Sequence, residues 1–332
     1  MCGSLCGGGW CVLNFCPYFS LMMQLLTPVE LPKGAPRVEP STRVMLLGSC
    51  FASHIGGRLK RSGLRVEVNP FGALYNPESI ALALEALMEG WVAEEWVFEG
   101  CDGMWHSWLH ATEFSAPDKA TCLKRIEERF GVARRMLTEA EVLCFTFGTN
   151  RVYEHAGRAV GNCHKEPASQ FRERSLTVAE IVKRWQGVLE CLLELNPKAE
   201  IVFTVSPYRY AKYGFVESQR AKATLLLAVE ELLRGQAKRH YFPAYEILLD
   251  ELRDYRFYAD DMLHPSEQAV TYIWQRFTEW AFTPEAQRFA QEWERTERDL
   301  EHRPVCPDSD AHKAFVARVM ARREELRLKV NG

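Results

Sequence analysis

The sequence lacks any apolar run long enough to cross a membrane, and it lacks an excess of positive charge. No stretch of its 332 residues approaches the ~20 consecutive apolar residues that a membrane helix needs. The formal net charge is −3, and acidic and basic residues are interleaved along most of the chain. We therefore expect neither a membrane span nor a nucleic-acid partner, since the latter favours a basic surface.

A disulfide framework and a metal-binding cysteine motif are lacking too. The chain has 11 cysteines, an odd number, and no two of them form a Cys-x-x-Cys pair. Scattered thiols are typical of a reducing compartment, so the sequence predicts a cytoplasmic protein. The four N-terminal cysteines are isolated from any histidine, and neither a metal nor another cofactor is predicted. These four are Cys2, Cys6, Cys11 and Cys16.

The first 22 residues are apolar and rich in glycine and cysteine, but they have no basic region of the kind that opens a signal peptide. Met22 and Met23 precede the point where ordinary globular sequence begins. We interpret residues 1–22 as a disordered extension or as the product of an upstream start site.

The chain does contain a regular alternation of short apolar strands and helical patterns. Core strands are predicted at 43–47, 64–68, 141–147, 201–205 and 240–242. Such alternation favours a parallel sheet covered by helices on both faces. The sequence therefore predicts an α/β protein with a three-layer α/β/α architecture and a mostly parallel sheet of about five strands.

Around this sheet we expect one domain at 23–282 and a charged helical appendage at 283–332. Segment 91–115 is rich in tryptophan and contains Asp102-Gly103, a hairpin signal, so a small β excursion is predicted there. Segment 151–171 contains glycines, a proline and many polar residues, and it predicts a loop.

The most informative stretch joins the first strand to the first helix. Four apolar residues at 44–47 run into Gly48-Ser49-Cys50, and a helical pattern begins at once after them. A side chain at such a turn lies at the carboxyl end of a strand and near a helix N-terminus. The helix dipole and the free N–H groups there favour a thiolate or an oxyanion. Cys50 and Ser49 are both candidate nucleophiles.

A second motif lies late in the chain, where Asp261-Met262-Leu263-His264 precedes a predicted helix. In a turn, this spacing lets the carboxylate reach the imidazole and hold one tautomer. The other ring nitrogen can then take a proton from a nucleophile. Asp260 would replace Asp261 if the loop register differed by one residue.

Two further polar clusters, Asn69-Pro70-Phe71-Gly72 and Gly148-Thr149-Asn150, also follow predicted strands. Active sites in open parallel sheets gather at such strand ends. In their order, the four motifs resemble the SGNH (GDSL-like) hydrolase superfamily. Its blocks are a Gly-Asp-Ser turn, a glycine after the second strand, Gly-x-Asn after the third and a late Asp-x-x-His. The resemblance covers residues 43–282 and implies an SGNH/flavodoxin-like fold.

More narrowly, the chain resembles the GSCFA family through the motif Gly48-Ser49-Cys50-Phe51-Ala52. The further stretches that resemble this family are Asn69-Pro70-Phe71-Gly72, Tyr75-Asn76-Pro77, Asn162-Cys163-His164-Lys165, Ser206-Pro207 and residues 254–265. The resemblance implies a superfamily chemistry without naming a substrate.

Carried over residue by residue, the resemblance makes Cys50 the nucleophile, because it occupies the third position of the Gly-Asp-Ser block. Ser49 stands where the superfamily has aspartate, and it remains the alternative if the turn is shifted by one residue. His264 and Asp261 would complete the catalytic group. The implied oxyanion hole consists of the N–H of Cys50, the N–H of Gly72 and the side-chain amide of Asn150.

Three other side chains are weaker candidates for contacts with a substrate. His164 and Arg209 could bind an anionic or sugar group, and His106 could line a pocket among the tryptophans. Each has a structural interpretation as well: His164 as a loop histidine, Arg209 as one partner of a surface ion pair, and His106 as part of an aromatic core.

These observations lead to one main hypothesis and two alternatives. The main hypothesis is an SGNH-like acyl hydrolase or acyltransferase that acts on a small-molecule or saccharide ester through a Cys/Ser-His-Asp site. Because the aspartate of the first block is missing, the first alternative is a catalytically inactive binding protein for a saccharide or another polar ligand. The second is a scaffold whose charged C-terminal helices join copies of the chain into a homo-oligomer.

Overall fold

A computed structural model describes residues 26–90, 93–302, 305 and 309–331, and the predicted extension at 1–22 lies outside them. The strands are β1 (Arg43–Gly48), β2 (Arg65–Val68), β3 (Val97–Glu99), β4 (Trp105–Ser107), β5 (Val142–Phe147), β6 (Arg151–His155), β7 (Arg158–Val160), β8 (Phe171–Ser175), β9 (Glu200–Val205) and β10 (Arg239–Tyr241). The helices are α1 (Cys50–Arg61), α2 (Pro77–Glu89), α3 (Lys119–Glu139), α4 (Val178–Leu195), α5 (Phe215–Leu233), α6 (Ala244–Glu246), α7 (Glu267–Ala281), α8 (Pro284–Glu301) and α9 (Asp310–Asn331). Helix α6 continues as a π-helical segment over Ile247–Leu252.

The central sheet has five parallel strands in the order β10-β9-β5-β1-β2. Leu46 of β1 is paired with Cys144 of β5, and Phe145 of β5 with Phe203 of β9. The inner strands are mostly apolar runs, with two polar residues, Glu200 and Thr204, in β9, because both faces of these strands are covered by other elements. The prediction of a mostly parallel sheet of about five strands is confirmed.

Helices cover both faces of this sheet, and alternate residues of each strand point to opposite layers. Met45 and Leu47 pack with helices α2, α4 and α5, where Trp185 is fully buried. Val44 and Leu46 pack instead with Phe51 and its neighbours on α1 and α7. Burying one such side chain contributes about 1.5–3 kcal/mol, so both layers hold the sheet. The three-layer prediction is confirmed.

The excursion predicted within 91–115 is present as the antiparallel hairpin of β3 and β4. The prediction of a loop at 151–171 is wrong, because β6, β7 and β8 form a three-stranded antiparallel sheet there. Its turn has positive φ at Ala156 and Gly157. Cross-strand charge pairs such as Arg174–Glu154, at 2.6 Å, replace the apolar alternation that usually marks a strand. Polar composition therefore hid these strands.

Residues after α7 form the helices α8 and α9, and α8 packs on the rest of the chain. Ala286 and Ala290 of α8 belong to the same apolar cluster as α1 and α7. Trp293 lies so close to Gly63 that a Cβ on this glycine would be 2.4 Å from the indole. Among the described residues, no helix is long and apolar enough to cross a membrane.

Candidate functional site

The turn between β1 and α1 separates the two candidate nucleophiles. Ser49 is the N-cap of α1: its Oγ accepts a hydrogen bond from the N–H of Phe51 at 3.3 Å, and the residue is 1% exposed. Cys50 is the first residue of the helix and is partly exposed. The serine hydroxyl is thus engaged in capping, and the Cys50 thiol is the more accessible of the two candidate nucleophiles.

Gly48 and Asn69 fix this turn in place. Gly48 has a φ of +151°, and a Cβ on it would lie 2.3 Å from the carbonyl oxygen of Thr146 on β5, so only glycine fits. Its N–H donates to the side-chain oxygen of Asn69 at 2.8 Å. The amide nitrogen of Asn69 donates to Ser53 on α1 at 2.7 Å. Sequence reasoning had assigned Asn69 only to a turn, whereas its side chain links the turn before Cys50 to the helix after it.

The electrostatic surroundings of Cys50 correct one expectation. Burial raises the pKa of the thiol above its ordinary value, and the charge of Asp261 acts in the same direction. The N–H groups of Phe51 and Cys50 and the charge of Lys222 lower it, but they do not outweigh burial. The position at a helix N-terminus therefore does not yield a ready thiolate at neutral pH, because desolvation of the charged form dominates.

The spacing argument for the late motif is confirmed as a contact. Nδ1 of His264 lies 2.5 Å from Oδ2 of Asp261, and Oδ1 of Asp261 accepts the N–H groups of Leu263 and His264, each at 2.9 Å. The bond to His264 and the two backbone donors lower the pKa of Asp261 to about 2, so the carboxylate is ionised at neutral pH. Nε2 of His264 has no hydrogen-bond partner among the described residues.

Arg209 holds the loop that carries this pair. Its backbone N–H donates to the carbonyl of Leu263 at 3.0 Å, and its guanidinium donates to the carbonyl of Met262 at 3.1 Å. The guanidinium carbon also lies 4.2 Å from the centre of the Phe215 ring. The structure thus gives Arg209 a structural part in the loop, and the predicted contact with a substrate stays a prediction.

The residue before Arg209 connects the two halves of the site. The Tyr208 ring lies 4.4 Å from the His264 ring, and Tyr208 interacts electrostatically with both Cys50 and Asp261. Tyr75, which is half exposed, interacts electrostatically with Cys50 as well. Cys50 and the His264–Asp261 pair therefore lie at one end of the sheet, although no hydrogen bond joins Cys50 Sγ to His264 in the described part of the chain. Sequence reasoning singled out neither tyrosine.

The side chains and N–H groups predicted for the oxyanion hole differ in whether they keep a hydrogen free. Asn150 is 7% exposed, and its amide nitrogen donates one hydrogen to the carbonyl of Leu176 at 2.9 Å, which leaves a second hydrogen. The N–H of Gly72 is committed, because it donates to the carbonyl of Asn69 at 2.8 Å inside the turn. Gly72 therefore cannot donate to a substrate without opening that turn.

Lys222 is the residue that sequence reasoning missed altogether. It lies on α5, is 2% exposed, and donates from Nζ to the carbonyls of Gly148 at 2.7 Å and Ser206 at 2.6 Å. Its position between Ala221 and Leu225 on the apolar face of the helix was the available signal, because a lysine is rarely buried without a purpose.

The structure does not place His106 or His164 where a substrate could reach them. His106 is 2% exposed, and its two ring nitrogens are hydrogen-bonded to Ser115 and Asp102. His164 is buried, stacks on His106 with ring centres 4.5 Å apart, and bonds through Nε2 to the carbonyl of Ser107 at 2.8 Å. Both residues form part of a buried polar cluster that includes strand β4, and their predicted contacts with a substrate stay predictions.

No group of three or more histidine, cysteine, aspartate or glutamate side chains that could hold a metal ion occurs in residues 26–90, 93–302 and 309–331. What the arrangement offers is a partly exposed thiol and a histidine oriented by a carboxylate. Two amide donors, the N–H of Cys50 and the free hydrogen of Asn150, complete the set. These are the parts needed for transfer of an acyl group through a covalent intermediate.

Of the comparisons with known proteins, the one with family models agrees with the resemblance to the GSCFA family. The model of the GSCFA family matches residues 43–277. No curated protein matches the chain. Solved structures with a similar course of chain include a carbohydrate esterase family 3 from Talaromyces cellulolyticus and an acetyl esterase mutant with an acetate ion. Each is 10% identical, covers 76% of this chain and 99% of its own, and has a TM-score of 0.35, which is too low to support an argument about activity.

Proposed function

The chain belongs to the GSCFA family, and from this premise we propose that it is an acyl hydrolase or acyltransferase of the SGNH type. Its substrate class would be a small-molecule or saccharide ester. The observation that carries the proposal is the His264–Asp261 pair, in which one ring nitrogen is held by the carboxylate at 2.5 Å. The other nitrogen has no partner among the described residues, at the end of the sheet where Cys50 lies.

In the first half-reaction, Sγ of Cys50 forms a bond to the ester carbonyl carbon while Nε2 of His264 takes the thiol proton. The carbonyl electrons move to oxygen, and the oxyanion accepts hydrogen bonds from the N–H of Cys50 and the free hydrogen of Asn150. The C–O bond then breaks, the leaving alkoxide takes the proton from His264, and a thioester remains on Cys50.

In the second half-reaction, a water molecule or a hydroxyl acceptor attacks the thioester while His264 takes its proton. The C–S bond breaks, and the same proton returns to the sulfur. Asp261 stays ionised throughout, because its pKa of about 2 is far below neutrality, and it stabilises the imidazolium that forms in each half. Hydrolysis and transfer differ only in which hydroxyl attacks.

The raised pKa of Cys50 gives His264 a necessary part in this scheme. Because burial keeps the thiol protonated near neutral pH, the proton must be removed as the bond to carbon forms. The mechanism therefore resembles that of a serine hydrolase, with sulfur in place of oxygen. It differs from that of a cysteine enzyme in which the thiolate–imidazolium pair has already formed before the substrate binds.

Acetylation by 4-nitrophenyl acetate, followed by intact-mass measurement after rapid acid quench, tests the proposal. We expect one acetyl group on the wild type, on Ser49→Ala and on Cys191→Ala, which removes an exposed free thiol as a matched control. Cys50→Ala should carry none. Ser49→Ala should lose about 1 kcal/mol of stability, because it removes a helix cap. An adduct that survives in Cys50→Ala, or that disappears in Ser49→Ala, would contradict the assignment of Cys50.

A non-catalytic binding protein is the second candidate. It is favoured by the protonated thiol and by the lack of a hydrogen bond between Cys50 and His264 in the described residues. This candidate predicts no turnover over a panel of 4-nitrophenyl esters and acetylated sugars. Turnover that is present in the wild type and lost in His264→Ala would exclude it.

A further inference from the structure

The side-chain nitrogen of Lys222 joins the ends of two neighbouring strands of the sheet. It donates to the carbonyl of Gly148, directly after β5, and to that of Ser206, directly after β9. No carboxylate lies within ion-pair distance of it among the described residues. A positive charge at this position is therefore balanced by carbonyl dipoles and not by an opposite charge.

This nitrogen lies beneath the loop that supports the nucleophile turn. The N–H of Gly148 donates to the carbonyl of Tyr75 at 2.8 Å, and a Cβ on Gly148 would be 3.5 Å from the Cβ of Ser49. Gly148 is thus in direct contact with the residue before Cys50. Lys222 donates a hydrogen bond to the carbonyl of the same glycine, and it also interacts electrostatically with Cys50.

Packing alone does not account for a lysine here. Burying an ammonium without a carboxylate partner costs several kcal/mol, and a methionine of similar length would fill the same volume without that cost. The fold therefore buries a titratable group against the loop that contacts the turn of its candidate nucleophile, and such groups are common where charge is needed for chemistry.

We propose that Lys222 is a positioning residue for the nucleophile: its nitrogen ties the ends of β5 and β9 beneath the turn of Cys50, and its positive charge stabilises negative charge that develops at the sulfur. The inference rests on the proposed function of Cys50 but concerns a residue outside the Cys-His-Asp group.

Burial lowers the pKa of Lys222 to about 7, while the charge on Cys50 raises it, so the two groups titrate as a coupled pair. The other titratable groups coupled to Cys50 are Asp261, Tyr75, Tyr208 and Tyr210, and the Tyr245 ring lies 5.6 Å from the Lys222 nitrogen.

The rate of iodoacetamide alkylation at Cys50, resolved by peptide mass spectrometry between pH 6 and 11, tests the proposal. In Lys222→Met we expect the alkylation rate of Cys50 at pH 6 to fall about three- to tenfold, because the lysine is charged below its pKa of about 7, and we expect the two proteins to converge above pH 8, where the lysine is neutral. The exposed Cys191 serves as a reference thiol in the same sample and should not change. An unchanged Cys50 profile in a folded Lys222→Met protein would overturn the proposal, because a purely structural lysine would alter the melting temperature alone.

A second measurement covers the case in which Lys222→Met does not fold. The lysine Cε signal of Lys222 can be titrated by NMR in the wild type and in Cys50→Asp, both of which keep the lysine. Because coupling between two sites is reciprocal, a negative charge in place of the neutral thiol should raise the pH at which Lys222 titrates. Identical titrations in the two proteins would contradict the proposal.

Neither measurement needs a substrate. If the electrostatic coupling between Lys222 and position 50 is found and no acyl-enzyme forms, the proposed function is wrong, but the proposed role of Lys222 is supported. If the acyl-enzyme forms and the coupling is missing, the part of Lys222 fails by itself.

Discussion

Two histidines in this molecule bond to an aspartate in a nearby turn: His106 to Asp102 at 3.0 Å, and His264 to Asp261 at 2.5 Å. The His106 side chain is 3% exposed, and its second ring nitrogen bonds to the hydroxyl of Ser115 at 2.6 Å. The His264 side chain is 42% exposed, and its second nitrogen has no partner in the described residues. Only the second pair can accept a proton from another molecule.

The difference teaches that an aspartate–histidine contact is by itself a poor sign of catalysis. What separates the pairs is the second ring nitrogen, which the protein satisfies in one case and leaves available in the other. Position in the fold explains why. His106 lies in a small hairpin packed on the domain, whereas His264 lies in a loop at the carboxyl end of the sheet, where open sites form.

Replacing each histidine by alanine should give the largest difference between the two aspartate–histidine pairs. In His264→Ala we expect kcat for a 4-nitrophenyl ester to fall about 10²–10⁴-fold, because the general base is lost, while stability changes by about 0.5 kcal/mol or less. In His106→Ala we expect a loss of about 2–4 kcal/mol of stability, because Ser115 loses its partner and a cavity opens in the cluster. Steady-state kinetics and urea unfolding measure the two effects. A large loss of kcat in a folded His106→Ala protein would contradict the assignment of a purely structural role to the His106–Asp102 pair.

Replacing each aspartate by asparagine should give a smaller difference in kcat between the two pairs. Asp261→Asn leaves the geometry nearly intact but no longer stabilises the imidazolium, and we expect kcat to fall about 10²-fold or more. Asp102→Asn, in an exposed turn, should leave kcat unchanged. Since the pKa of Asp261 is depressed to about 2, its contribution is present above the ordinary aspartate pKa and is lost only as the pH falls towards 2. Equal kcat values for the two variants would contradict the assigned roles.

The buried histidine cluster should show itself in the pH dependence of stability. His110, 2% exposed and bonded to Ser107 at 2.9 Å, has a pKa lowered by burial to about 3. Between pH 6.5 and 3 the unfolded chain therefore binds a proton that the folded chain does not, and stability falls as the pH falls. The slope from this residue is at most about 1.4 kcal/mol per pH unit. Urea unfolding of the wild type and of His110→Gln between pH 7 and 4.5 measures it, and parallel curves would show that His110 does not contribute.

Much of the fold could be predicted from the sequence because apolar periodicity reports burial directly. The strand predicted at 141–147 is observed at Val142–Phe147, where every residue is buried. Strands β6 to β8 were missed because charged side chains that form cross-strand ion pairs, such as Arg151–Glu173, stand where an apolar alternation usually marks a strand. Such pairs link residues that are distant in sequence, and no local pattern reveals them.

The site was predictable where its residues are neighbours in sequence. Asp261 and His264 belong to one turn, so their spacing was enough to predict their contact. The commitment of Gly72 to its own turn and the burial of His106 depend on tertiary contacts, and so does the position of Lys222 under two strand ends. The choice between Cys50 and Ser49 likewise rested on which side chain caps the helix, which spacing alone does not decide.

The packing of Trp293 against Gly63 bears on how this protein can be shortened. The family match ends at residue 277, which invites a minimal chain that stops near the end of α7. Such a chain would lose the indole that covers the turn after α1, together with Ala286 and Ala290. The helix exposed by the cut is the one that begins at Cys50, so the smallest unit suitable for expression extends through α8.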